Sequence, residues 1–411
     1  MATRVGITGI GLLTPVGNDT ASTWKAICEG RSGIGPITRF DVTQHEVRIA
    51  GELKGFDPLQ FMDRKEVRRT DQFVQFAVAA ATEAVKDAGL DIASMPDDVG
   101  VIIGSGSGGL TTLDNQFHVL IERGPDRISP FFITMMVADM AAGYVSMVFG
   151  ARGPNFATVS ACATGANAIG EAFEIIRRGD ARAMLAGGAE AGSTPITVAA
   201  FNSMHALSRR NDDPQGASRP FDTNRDGFVL GEGSGVVVLE DLELAQARGA
   251  HIYAEVLGYA ATSDAHHITE PAPGGAGLAR AIAKALAKAN LKPHEVDYIN
   301  AHGTSTKLND RDETRAIKTV FGENAHQVAI SSTKSMIGHM MGAAGGVEIA
   351  VTALSLRDGI LPPTINYETP DPECDLDYVP NTARRKSISV AISDSMGFGG
   401  HNAVVVLGRA S

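Results

Sequence analysis

The stretch Phe156-Ala-Thr-Val-Ser160-Ala-Cys162-Ala-Thr-Gly165-Ala-Asn167-Ala-Ile-Gly-Glu-Ala-Phe-Glu-Ile-Ile-Arg-Arg178-Gly179-Asp-Ala-Arg-Ala183-Met-Leu-Ala186 changes its period twice. Phe156 to Ser160 is a short β-like run, Ala163 to Arg178 is alanine-rich with apolar residues at helical spacing, Gly179 supplies a stop, and Ala183 to Ala186 is apolar again. Strand, helix and strand in close succession are the unit of an α/β layer. Cys162 falls where the first strand turns into the helix.

Upstream, Val99 to Ile103 reads as another strand and Gln72 to Leu90 as an amphipathic helix. A second group starts near Ile252: a strand to Gly258, a helix Leu278 to Ala289, a strand Tyr298 to Ala301, a helix Gly342 to Leu356 and a strand Ala403 to Leu407. Between the groups, Ser208 to Gly235 is dense in Asn, Asp, Pro and Gly and reads as an ordered surface excursion. No repeat is legible from residue identity, although each group carries an alanine-rich helix after a small-residue turn, a pattern compatible with duplication.

Composition bounds the function. With 44% hydrophobic and 20% charged residues and 46 glycines in 411, the chain is a soluble α/β protein with a large core. Cys28, Cys162 and Cys374 are odd in number and far apart, which suggests neither a disulfide framework nor a C-x-x-C metal site and fits a reducing compartment. The start, Met1 to Gly17, is too interrupted by glycine and Pro15 for a signal peptide or a membrane span and reads as a first buried strand and turn. A net charge of −11 argues against nucleic-acid binding. It leaves one basic cluster conspicuous, Arg64, Lys65, Arg68 and Arg69, which taken alone is a solvated helix start.

Two motifs mislead. Gly104-Ser-Gly106-Ser-Gly-Gly109 has dinucleotide-binding spacing, but no acid ends a second strand about 20 residues on, as that fingerprint requires. Asp222-x-Asn224-x-Asp226-Gly227 opens like a calcium loop, but its twelfth position is Gly233, with Glu232 one place early, so a network of Asx turns is the better reading.

Four segments carry chemistry: Ser160-Ala-Cys162-Ala-Thr-Gly165, Asn300-Ala-His302-Gly-Thr-Ser-Thr306, Ser332-Thr-Lys334-Ser-Met-Ile-Gly-His339 and Ser393-Asp-Ser-Met-Gly-Phe398-Gly-Gly-His-Asn402. At a helix N-terminus the Cys162 thiol is expected to fall from about 8.5 into the range of about 3.5 to 7.5, against the alternative of an inert core thiol. His302 enters a polar turn, where an imidazole either projects into a cavity or is satisfied in the core. Lys334 beside a histidine favours neutral imidazole, or is a plain salt-bridge member. The Gly397 to Gly400 loop brings backbone N–H groups near a developing oxyanion, a contribution of about 3 kcal/mol per donor.

In this order and spacing the four segments resemble the Cys-His-His condensing enzymes of the thiolase-like family, the β-ketoacyl-acyl carrier protein synthase II group in particular. Gly187-Gly-Ala-Glu190, Arg219-Pro-Phe-Asp222, Arg225-Asp-Gly227 and Ser331-Ser-Thr-Lys334 extend the match, which runs from Arg4 to the last strand. The resemblance implies an α/β thiolase fold, a five-layered αβαβα sandwich of two pseudo-duplicated halves, here 1–250 and 251–411, in a cytoplasmic homodimer. It implies that Cys162 takes an acyl chain from acyl carrier protein and that malonyl carrier protein then loses CO2 and attacks the thioester, giving a 3-oxoacyl carrier protein. His302 and His339 would bind the malonyl carbonyl, with Lys334, Asp310 and Glu348 orienting and polarising them. The N–H groups of Cys162 and Phe398 would form the oxyanion hole, Phe398 would gate the pocket, and Thr304 and Thr306 would hold the pantetheine arm. Arg64, Lys65, Arg68, Arg69 and Arg127 would dock the acidic carrier, which supersedes the solvated-face reading.

The chain departs from the family pattern at Asp394 and Met396, where Asn and Phe are common, at Ser107, a position lining the far end of the acyl pocket and often bulkier, and at His205 on the carrier face. No cofactor is required, but some relatives hold a monovalent cation, sodium or potassium, at positions matching Asn300, Glu348 and Asp394. A polyketide-type ketosynthase shares the triad. A non-catalytic chain-length partner would lack the nucleophile, and a cysteine hydrolase would need an orienting Asn or Asp for His302.

Overall fold

The computed structural model describes residues 3–410. Ten strands carry the two main sheets: β1 Val5–Leu13, β2 Val99–Gly104, β3 Asn155–Phe156, β4 Ala183–Glu190, β5 Gly233–Asp241, β6 Ala254–Ser263, β7 Tyr298–Asn300, β8 Ala329–Ser331, β9 Val390–Gly397 and β10 His401–Gly408. The order in the first sheet is β1-β5-β4-β2-β3 and in the second β6-β10-β9-β7-β8. Each strand of the first half therefore has its counterpart five places later. The senses repeat as well: two antiparallel pairings are followed by two parallel ones in both halves. β1 and β6 join the sheets antiparallel, Val5 to Ile7 against Ala254 to Val256. The duplication that residue identity leaves open is plain in the topology.

The helices that matter are α1 Gln72–Ala88, α2 Leu110–Arg123, α3 Met140–Phe149, α4 Thr164–Arg178, α5 Pro195–Ser203, α6 Ala276–Lys288, α7 Lys307–Phe321 and α8 Ala344–Asp358. α1 covers the first sheet, α6 and α7 cover the second, and α4 and α8 lie between the sheets, giving five layers. α8 is buried without interruption from Ala344 to Leu356 because sheets or α4 meet it all round, and its one ionisable residue there is Glu348, while the Thr352 and Ser355 hydroxyls donate to carbonyls one turn back. The N-termini of α4 and α8 cross at glycines: a Cβ on Gly165 would lie 2.6 Å from the Gly346 nitrogen, and one on Gly345 would lie 2.4 Å from that of Ala166.

Several elements differ from the sequence reading. Of the Phe156 to Ser160 run only Phe156 pairs as strand, together with Asn155 before it, since the segment then leaves the sheet edge for the Cys162 turn. α2 and α7 emerge where no helix was legible. The Ser208 to Gly235 stretch is ordered, but much of it is buried between the halves instead of lying on the surface. Its Phe221 ring stacks on Tyr378 with centroids 3.9 Å apart. Burial is tolerated because its polar groups are answered: both Asp222 oxygens accept backbone N–H groups, from Asn224, Glu368 and Thr369, in the Asx network expected in place of a calcium loop. The Gly104 to Gly109 turn does lead into α2, but the N–H groups of Gly106 and Ser107 and the hydroxyl of Ser105 donate to the Glu190 carboxylate, so they are not free for a phosphate.

Candidate active site

Cys162 sits in a tight turn, Ala161–Ala163, directly before α4. Ala161 takes a left-handed φ of 49°, a conformation that costs an alanine energy and throws the next side chain out of the strand-to-helix path. Thr164 secures the turn: its hydroxyl oxygen accepts the Ser160 N–H at 2.9 Å, and its carbonyl accepts the Thr158 hydroxyl. Asn167 donates to Ser160 Oγ at 2.6 Å. The β9–β10 loop lies on this turn, where a Cβ on Gly397 would come within 2.6 Å of the Ser160 carbonyl and 3.2 Å of the Cys162 nitrogen.

His302 follows β7, and its position is fixed from the backbone. Its N–H donates to Glu313 Oε1 at 2.7 Å and to Asp394 Oδ1 at 3.1 Å, while the Gly303 N–H donates to Glu313 Oε2 at 2.8 Å. Lys334 Nζ, paired with Glu348 and buried like it, lies 3.4 Å from His302 Nδ1. An ammonium can only donate, so Nδ1 is the acceptor and Nε2 carries the ring proton. His339 enters from the second half at the end of a short turn, tied by its N–H to the Val229 carbonyl at 2.7 Å. Its ring meets that of His302 edge to face, with centroids 5.3 Å apart and planes at 88°, and neither of its ring nitrogens has a partner among the described residues. Cys162 Sγ and one nitrogen of each histidine lie within 4.8 Å of one another.

These groups line a cavity of about 550 Å³ together with Thr304, Thr306 and Phe398. The Thr304 and Thr306 hydroxyls are 2.9 Å apart. The rings of Phe398, Phe201, Phe228 and His339 follow one another along the wall with centroid spacings of 6.4, 5.3 and 5.4 Å. Burial, then the Lys334 charge, hold both imidazoles well below their usual range, so both are neutral near pH 7. The thiol goes the other way. Burial pushes Cys162 up to about 12, against the lowering expected at a helix start; Lys334 and the Phe398 N–H oppose the rise but do not cancel it.

Residues 2–245 match the beta-ketoacyl synthase N-terminal domain and residues 253–368 its C-terminal domain. The chain belongs to the beta-ketoacyl synthase family. A 3-oxoacyl-(acyl-carrier-protein) synthase 2 of Synechocystis sp. is 55% identical to it over 400 residues, 97% of this chain and 96% of that one. Its Staphylococcus aureus namesake is 54% identical over 404 residues, 98% and 97% of the two chains. Among solved structures, a beta-ketoacyl synthase from Burkholderia phymatum matches with a TM-score of 0.93 at 36% identity, over the whole of both chains. The ketosynthase of a type II polyketide synthase, solved in complex with its acyl-carrier protein, matches at 0.93 and 35% over the same coverage. The five layers are those of the thiolase fold.

Within this synthase the structure redistributes some of the expected roles. Asp310 touches neither Lys334 nor a histidine. It receives Arg225 at 3.3 Å and the N–H groups of Phe221 and Ser305. The α7 carboxylate that reaches His302 is Glu313, which shares the His302 N–H with Asp394 and also takes that of Gly303. Sequence reading missed Glu313 because its buried neighbours on α7 include Asp310, Asp312 and Thr314, which hide the helix from an apolar-period search. Ser107 is exposed and lies outside the residues lining the cavity. Arg64 and Lys65 are exposed on a separate short helix, Arg64–Val67, whose start is capped by Asp63, and Arg68 is exposed directly after it. Arg69 is half-buried over the Phe131 ring at 4.5 Å, and Arg127 is exposed on the turn after α2. His205 lines the cavity wall.

Asn300 Oδ1, Glu348 Oε2, Asp394 Oδ2 and Ser393 Oγ are buried without partners among the described residues. They come from neighbouring positions, Ser393 pairing with Asn300 across β9 and β7. Four hard oxygen donors, two of them carboxylates, fit an alkali cation better than a soft metal.

Proposed function

We propose that this synthase extends acyl chains held on an acyl carrier protein by decarboxylative condensation in fatty acid synthesis. The observation that carries the reading is one cavity in which a buried thiol faces two neutral imidazoles, one of them fixed as an Nε2–H donor by Lys334. In the first step the Cys162 sulfur replaces the carrier thiol at the acyl carbonyl, and the departing thiol leaves with the proton. In the second, the malonyl thioester carbonyl accepts hydrogen bonds from His302 and His339, and CO2 departs as charge moves onto that oxygen. The resulting carbanion attacks the acyl-cysteine carbonyl, whose oxygen is received by the N–H groups of Cys162 and Phe398. Cys162 leaves as the thiolate and takes up a proton from solvent, the one proton the condensation consumes. Thr304 and Thr306 support the pantetheine arm along the cavity.

Product analysis tests this directly with purified protein, an acyl carrier protein thioester and malonyl carrier protein. The expected product is a 3-oxoacyl chain two carbons longer, absent with Cys162→Ala; free acid or CO2 alone would overturn elongation. The polyketide-type match keeps a second reading in view. With excess malonyl carrier protein and no reductase, a polyketide-type enzyme adds several units, whereas a fatty acid synthase of this kind stops after one.

Arg64, Lys65, Arg68 and Arg127 form the docking patch for the acidic carrier, with Arg69 partly committed to Phe131; charge reversal at Lys65 and Arg68 raises KM and leaves kcat in place. The exposed apolar side chains at β3 and the adjoining α3, Phe156, Val159 and Met147, receive a second copy of the chain. The Asn300, Glu348 and Asp394 site holds sodium or potassium. Replacing these ions by tetramethylammonium is expected to lower Tm, and to do so less in Asp394→Asn. Three unpaired thiols accord with a reducing, cytoplasmic location.

A further inference from the structure

The geometry points to a second occupant of the triad: a thiophilic divalent cation such as Zn2+, held by Cys162, His302 and His339 in the resting enzyme. The three candidate ligand atoms already lie within 4.8 Å of one another. Metal bonds of about 2.3 Å to sulfur and about 2.0 to 2.1 Å to nitrogen place ligands about 3.3 to 3.7 Å apart, so the side chains close by about 1 Å to embrace an ion. His339 supplies a second, independent observation. Its ring is 3% exposed, and both nitrogens lack a partner among the described residues. In a protein interior such a group is costly and calls for a ligand.

The donor set selects the class of metal. One thiolate and two imidazoles suit zinc, cobalt and cadmium, and the absence of oxygen from the triad disfavours magnesium and calcium. The nearby carboxylates are committed elsewhere. Glu190 receives the N–H groups of Gly106 and Gly342, and Glu348 holds Lys334. The cavity leaves a fourth position for water, as in open zinc sites. On binding, a sulfur–metal bond forms, the thiol proton passes to solvent and no electron is transferred. The Lys334 ammonium limits affinity, since a metal on the cavity side of His302 sends the ring proton to Nδ1 and displaces that hydrogen bond. If Cys162 is the acyl acceptor, as proposed above, the ion blocks acylation reversibly. Binding itself does not depend on that role.

Co2+ titration of the reduced, tag-free chain tests binding by absorption alone. The expected result is one cobalt per chain, with visible bands of tetrahedral intensity and a near-ultraviolet thiolate-to-cobalt band. That ultraviolet band disappears in Cys162→Ser, is retained in Cys28→Ser and Cys374→Ser, and requires at least tenfold more cobalt in His339→Ala. Wild-type protein alkylated at Cys162 loses it too, which separates loss of the ligand from loss of the fold. Absence of the band in the wild type, or its survival in Cys162→Ser, would overturn the proposal.

Discussion

Lys334 does more than neutralise Glu348. By occupying His302 Nδ1 it decides which nitrogen carries the ring proton, and with burial it keeps both imidazoles uncharged. A depressed pKa leaves the neutral form in place as pH falls through 6.5, so kcat/KM is expected to show no acid inflection there, with any histidine limb well below it; an inflection near 6.5 would contradict the assignment. The thiol is displaced upward, so its reactive anion keeps growing with pH. Iodoacetamide alkylation of the free enzyme is expected to quicken about tenfold per pH unit from about pH 8 to 10, without the plateau near neutrality of an activated cysteine. Lys334→Met tests the pair energetically. It strands the Glu348 carboxylate, at a cost of about 3 to 5 kcal/mol in thermal unfolding, much of which Lys334→Met combined with Glu348→Gln restores while activity stays low. Cys162, His302, Lys334 and His339 could be named from the sequence because the four segments that hold them resemble a known family in order and spacing; each alone left a bland alternative open. The protonation state of Cys162 could not be read there, since burial is a tertiary property.

At the scale of the element, legibility followed the period of burial. α1 and α4 were readable because each turns an apolar stripe to a sheet. α7 was not, because the face it buries includes Asp310, Asp312, Glu313 and Thr314, and α2 was not, because it leaves Phe117, Leu120 and Ile121 exposed. The strand expected through Ser160 ends at Phe156 because the chain must turn there to present Cys162. The crossing of α4 and α8 has no sequence signature beyond small residues, yet it sets the height of the nucleophile. Gly165→Ala puts a methyl 2.6 Å from the Gly346 nitrogen. The helices must part, at an expected cost of about 1 to 3 kcal/mol in denaturant unfolding. Cys162 moves with its helix, so kcat falls more than stability alone explains.

Over the whole molecule the two halves are equal in topology and unequal in chemistry. Ala161 and Met341 occupy matching turns before the two central helices with φ of 49° and 48°. The first turn presents Cys162, whereas the second presents Gly342, whose N–H is committed to Glu190. The second half instead delivers both histidines, Lys334 and Phe398, so the site exists only where the halves meet. The rim of the first half is unfinished. β3 is a two-residue edge strand, and Val159, three residues before the nucleophile, is 61% exposed. Edge strands with apolar neighbours invite pairing. A second copy laid against β3 would cover Phe156 and Val159 and brace the segment that leads into the Cys162 turn. Val159→Asp places a charge in that contact without touching the cavity. Sedimentation is expected to give twice the 43.0 kDa chain mass for the wild type and a single chain for the variant. The monomer should also lose activity, because its Cys162 turn is no longer held from outside; an active monomer would show that each chain builds its site alone.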